Sequence, residues 1–246
     1  ADAILEDCDS GQEVDFEESL IYVLPECLDD IVFDLKTSQN GKFSTIMDQF
    51  VGHSPAPENY NWAIISQDAN GSTDATASTS PFIDAGNFVE TIIYEDNVQN
   101  ATDLSMARTL IHEAFHAYLV FEYRFSNIDK SYRNLLDQYA QQHNNNANDT
   151  HHAFFIHQNV ISKIAEALQE FGEKQNYLLS EQYYEDMAWG GLTHYRDSNG
   201  TLVINPAFQQ AFPSQSDQQR ILNILEAEKT GQITNGTIPQ GNQACP

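Results

Sequence analysis

The stretch Thr109-Leu110-Ile111-His112-Glu113-Ala114-Phe115-His116-Ala117-Tyr118 decides how this chain is read. Leu104, Ala107, Ile111, Ala114, Phe115 and Tyr118 recur at helical spacing, which predicts a helix packed on the core, with Thr102 or Asp103 as its N-cap. His112 and His116 are four residues apart, so they project from one flank of that helix, one turn above the other. Two imidazoles so placed can bind a single Zn²⁺ at about 2.0–2.1 Å. Glu113 lies between them in sequence and points beside the metal. Its carboxylate can accept a proton from a metal-bound water and deliver it to a leaving amine.

A catalytic zinc needs a third protein ligand and an open fourth position. A longer pattern, with Gly three residues after the second His, would turn the chain back and put that ligand at Glu122. Leu119 stands where the Gly is required, so the helix should continue and carry Glu122 away. His151, His152 and His157 cluster at the start of a later helical segment, 152–171, whose Ile156, Val160, Ile161, Ile164, Leu168 and Phe171 share a face. His152 sits at the edge of that face, where a side chain can reach sideways. His157, His151 and Glu166 remain alternatives. Tyr183, Tyr184, His194 and Tyr195 are candidates for a donor to a developing oxyanion. Met187 reads as a core methionine. No Gly-x-Ser-x-Gly elbow, phosphate loop or dinucleotide fingerprint occurs.

The 246 residues carry 36 acidic against 11 basic side chains, a formal net charge of −25. That charge repels a phosphate backbone and argues against nucleic acid as a partner. The acidic surface would attract cations, but no calcium-loop motif stands behind Ca²⁺ as a cofactor. No apolar run is long enough to span a membrane. The three cysteines, Cys8, Cys27 and Cys245, lack metal-ligand spacing. Cys8 and Cys27 flank the first predicted helix, so a disulfide between them is expected, with Cys245 left over. That pairing would favour an oxidising compartment.

Around the motif, residues 13–36 read as an amphipathic helix interrupted at Pro25, and 43–51 as a short helix. Gly52 to Asn59 reads as a loop. Trp62 to Ile65 and Phe88 to Tyr94 read as strands. The small, polar stretch Asp68 to Pro81 reads as a loop, flexible or ordered by a ligand, and Glu95-Asp96-Asn97 as a turn. Tyr132 to Tyr139 is amphipathic, and the Asn run 144–148 separates it from the next helix. Tyr183 to Leu192 looks helical up to Gly190-Gly191. Ser216 to Lys229 reads as a last helix stopped by Gly231.

The segments Thr109 to Tyr118, His152 to Phe171 and Ala188-Trp189-Gly190-Gly191-Leu192 together resemble a set of largely uncharacterised zincin-like proteins, many of them secreted or lipid-anchored proteins of Bacteroidetes-type bacteria. The resemblance covers roughly residues 104–192. It implies a zinc metallopeptidase holding one Zn²⁺, with His152 as third ligand beside His112 and His116. Ala153 departs from the pattern, which carries an acidic residue there.

The expectation is an α+β, zincin-like fold in a single domain, 1–246. A small sheet and helix occupy about 1–100, and the active-site helix and a mainly helical half occupy 101–246. Phe88 to Tyr94 is expected to be the edge strand that binds an extended peptide substrate by β-augmentation. The activity expected is peptide-bond hydrolysis with Glu113 as general base, in a protein secreted or held at the cell envelope. The competing readings are a non-catalytic zincin-like surface or binding protein, and a zinc hydrolase of a non-peptide substrate.

Overall fold

The computed structural model describes residues 20–37, 43, 61–71, 75–83, 88–123, 160–196 and 201–245. Among these, the chain mixes seven helices with a four-stranded and a two-stranded sheet.

The larger sheet grows from two apolar runs. β2 (Asn61–Gln67) and β4 (Phe88–Tyr94) pair in parallel, with Trp62 opposite Val89 and Ile64 opposite Thr91. Alternation puts Trp62, Ile64, Val89, Thr91 and Ile93 on one buried face. β1 (Leu20–Val23) joins β2 in parallel, and β3 (Ala77–Ile83) runs antiparallel to β4, so the strand order is β1-β2-β4-β3.

Four expectations change here. Residues 20–23 are a strand rather than helix. Leu20-Ile21-Tyr22-Val23 is β-branched and aromatic, and Pro25 holds the chain out of the helical region until α1 (Glu26–Lys36) begins. The stretch Asp68 to Pro81 is not all loop, because its second half is β3. Ala69, Asn70 and Ala75 before it are tied down as well: Asp96 accepts from Ala69 N at 2.7 Å and Asn70 N at 3.1 Å, and Asn97 Nδ2 donates to Ala75 O at 2.7 Å. These acceptors and donors sit on α2 (Glu95–Val98), a short helix where a turn was expected. Finally, β4 is an inner strand. Strand order in space differs from order in sequence, and β3 occupies the edge next to the site.

α3 (Asp103–Tyr123) crosses the buried face of the sheet. Thr102 caps it, its Oγ1 accepting from Ser105 N at 3.1 Å. The helix is buried all round from Leu104 to Ala117, as befits a helix apolar on most sides. β3 and β4 cover one side. α1, α4 (Val160–Lys174), α5 (Glu181–Ala188) and α7 (Gln215–Thr230) cover the others. Leu28, Ile31, Val32 and Leu35 of α1 recur at helical spacing and are buried, as are Val160, Ile164, Leu168 and Phe171 of α4. A hairpin of β5 (His194–Arg196) and β6 (Leu202–Ile204) and the short α6 (Pro206–Ala211) link α5 to α7, which ends at Gly231 as expected.

The last segment returns to the start of α3. Asp103 N donates to Asn242 O at 2.8 Å and Ala244 N to Ala101 O at 2.9 Å. The buried Glu228 carboxylate accepts from Thr102 Oγ1, Tyr183 OH and the amides of Gln240 and Gly241. A disulfide joins Cys27 to Cys245 across 218 residues. This corrects the expected Cys8–Cys27 pair: the returning tail brings Cys245 to the first turn of α1, with the two Cα atoms 5.2 Å apart. Cys8 lies outside the described residues. So do the segments 44–51, Gly52 to Asn59, Tyr132 to Tyr139, the Asn run 144–148, and 152–159 of the predicted helix.

Candidate metal centre

His112 and His116 face each other from successive turns of α3, with Nε2 atoms 2.9 Å apart and ring centroids 4.7 Å apart. Both are buried, as is Glu113 between them. One ligand atom from each of the three lies within 4.8 Å of the others, so the group could hold a metal ion. Two nitrogen donors at about 2.0–2.1 Å on a tetrahedral ion stand about 3.3 Å apart. The observed pair needs to open by only about 0.4 Å to meet that geometry.

The carboxylate of Glu113 is held from the sheet. Thr79 Oγ1 on β3 donates to Glu113 Oε2 at 2.7 Å. Thr79 Oγ1 also lies 2.7 Å from Thr91 Oγ1 on β4, which in turn accepts from Trp62 Nε1 on β2 at 2.8 Å. The indole N–H can only donate, so Thr91 can donate to Thr79 and Thr79 to Glu113. Three strands therefore orient one carboxylate through hydroxyls. Burial pushes the Glu113 carboxyl up to about 7, against the opposing pull of the Thr79 hydrogen bond and the Arg108 guanidinium. A carboxylate titrating near neutrality suits general base and acid work.

Arg108 sits one turn before His112 and is buried at 9% exposure. Burial lowers its guanidinium to about 10, with Glu113 opposing, and its Nε has no hydrogen-bond partner among the described residues. The Trp189-Gly190-Gly191 turn that follows α5 presses on these side chains. A Cβ at Gly190 would lie 2.6 Å from Arg108 Nε. One at Gly191, where φ is +82°, would lie 3.1 Å from His112 Cε1. Only glycines let the turn lie this close to the helix.

These groups line a cleft of about 660 Å³. Its walls are Ala75 and Thr76, Ala77 to Thr79 of β3, the α3 residues Arg108, His112, Glu113 and His116, the glycine turn, His194, and part of α7. Of the four oxyanion candidates, His194 alone lines the cleft. Burial lowers its pKa, and its Nδ1 lies 3.0 Å from Thr193 Oγ1. Tyr183 serves Glu228 instead, and the Tyr184 hydroxyl is packed against Gly172. Met187 is a buried core residue.

His152, His151 and His157 lie outside the described residues. Glu166 is on the exposed side of α4. α3 continues through Leu119 to Tyr123, as the lack of Gly at 119 led us to expect. Thr79 and Arg108 were not anticipated as site residues. Arg108 had a signal, since it precedes His112 by the same four residues that separate the histidines. Thr79 had none in a stretch with no apolar alternation.

Compared with models of protein families, with curated proteins and with solved structures, the chain matches none.

Proposed function

We propose that this protein is a zinc metallopeptidase, a zincin-like single-domain hydrolase that cleaves peptide bonds in a cleft between β3 and α3. The observation that carries the reading is the buried Glu113 carboxylate, aimed by Thr79 beside the facing Nε2 atoms of His112 and His116. A purely structural metal site has no need of a poised general base. Bound between His112 and His116, with His152 as third ligand, Zn²⁺ would supply a water acidified to near neutrality and polarise a carbonyl.

The chain's own groups do the rest. Glu113 takes the proton of the attacking water on its carboxylate and returns it to the leaving nitrogen. His194, across the cleft, donates to the carbonyl oxygen as negative charge develops. β3 offers an edge to which an extended peptide can add as a further strand, running above Glu113. The Cys27–Cys245 disulfide is compatible with an oxidising compartment, so we place the protein outside the cytoplasm or at the cell envelope.

The test is Glu113→Gln. It should leave one zinc per chain by elemental analysis and abolish cleavage of a broad peptide library that the wild type digests. If zinc-loaded wild type leaves such a library intact, the peptidase reading fails, and a non-catalytic module or a non-peptide hydrolase takes its place. His152→Ala should sharply lower zinc content. Unchanged zinc would move the third ligand to His157, His151 or Glu166.

A further inference from the structure

Arg108 is a strong cation in a costly position. A guanidinium removed from water is costly unless an anion compensates it, and here the nearby Glu113 carboxylate does so only through space. No ion pair to Arg108 occurs among the described residues, and Glu113 Oε2 is already engaged by Thr79. Yet Arg108 does not turn to solvent. It lies in the cleft wall, backed by Gly190, where a Cβ would lie 2.6 Å from Arg108 Nε and force the guanidinium to move.

We propose that Arg108 is a carboxylate-binding subsite, and that the substrates of this cleft carry a carboxylate on the residue following the bond to be cleaved. A planar guanidinium recognises a carboxylate through two parallel N–H···O bonds, at about 2.7–2.9 Å. Arg108 precedes His112 by four residues, which is about 6 Å along the helix axis. One extended residue advances the chain by about 3.3–3.6 Å, and a charge-assisted hydrogen bond adds about 2.8 Å. Arg108 and His112 line the same cleft, so a carboxylate one residue beyond a carbonyl held at the histidine pair comes within reach of the Arg108 side chain. That carboxylate is either the free C-terminus of the substrate or an acidic side chain. The bulk charge of −25 repels anions at long range. Recognition therefore falls to this desolvated contact rather than to steering.

The inference deepens the hydrolytic reading of the same cleft, and its primary test does not depend on catalysis. N-acetylphenylalanine and its amide are titrated by calorimetry into metal-free wild type. The acid should bind roughly 10- to 100-fold more tightly than the amide, the range for a hydrogen bond to a charged group. Arg108→Gln and Arg108→Lys should both erase or sharply reduce that preference, with melting curves checking their folding. A second arm uses N-acetylglutamate amide against N-acetylglutamine amide. Preference in the first arm identifies the C-terminal carboxylate, and preference in the second an acidic side chain. Equal binding of acid and neutral analogue in both arms overturns the proposal, as does a preference that survives Arg108→Gln. If zinc-loaded protein cleaves no peptide yet binds the acid through Arg108, the peptidase reading fails and the subsite stands.

Discussion

Thr79 Oγ1 donates to Glu113 Oε2 across the gap between an edge strand and the central helix, at 2.7 Å. The two residues are 34 apart in sequence, and the bond is the direct hydrogen-bonded tie between β3 and the Glu113 side chain. Thr79→Val keeps the shape and removes the hydroxyl. It should lower kcat/KM for peptide cleavage by about 10- to 100-fold, as for other groups that orient a site. Zinc content should not change. Undiminished cleavage would show that Glu113 needs no such support.

Burial raises the Glu113 carboxyl from 4.5 to about 7. Below pH 4.5 the group is protonated whether the chain is folded or not. As pH rises toward 7 the unfolded chain releases its proton first, so the fold loses stability across that window. In metal-free protein, Glu113→Gln should therefore be more stable than wild type at pH 8, by up to about 3 kcal/mol. The gain should vanish near pH 4. Denaturant titrations at both pH values measure it, and a variant less stable than wild type at pH 8 contradicts the assignment.

Much of this site could be seen in the sequence, and the reasons are local. The four-residue spacing of the histidines and the apolar stripe around them require no knowledge of the rest of the chain. Trp62 to Ile65 and Phe88 to Tyr94 announced themselves by β-branched and aromatic content. β3 did not, because the described side chains that it turns toward the helix are the small Ala77 and Thr79. A strand of small polar residues looks like a loop until its partner is known. The same gap hid the edge: β4 precedes the motif in sequence, but β3 stands outside it in space. Cys27 and Cys245 met only through the returning tail, which no spacing rule encodes.

Gly191 combines a left-handed backbone with close approach to the His112 ring. Gly191→Ala should cost about 1–2 kcal/mol from the backbone alone. Its methyl would also press on the His112 ring, at 3.1 Å from Cε1. Zinc affinity, measured by competition with a chelating dye, should fall while Gly71→Ala, which meets nothing within 4 Å, leaves it unchanged.

The Cys27–Cys245 bond closes a loop of 218 residues. Replacing both cysteines with serine should lower stability by about 3–5 kcal/mol, since long loops gain most from closure in the chain-entropy account. Urea titrations of the double variant and wild type would measure the difference. Adding reductant should shift the wild type alone.

The returning tail has a consequence for how the protein is made. Glu228 and residues 240–244 hold the first turn of the helix that carries both histidines. During synthesis those residues are added more than a hundred positions after His116. A nascent chain can form its sheet and its motif long before it can fix the helix in place. On the proposed reading, hydrolytic competence would then wait until Glu228 and residues 240–244 have been added and have folded back.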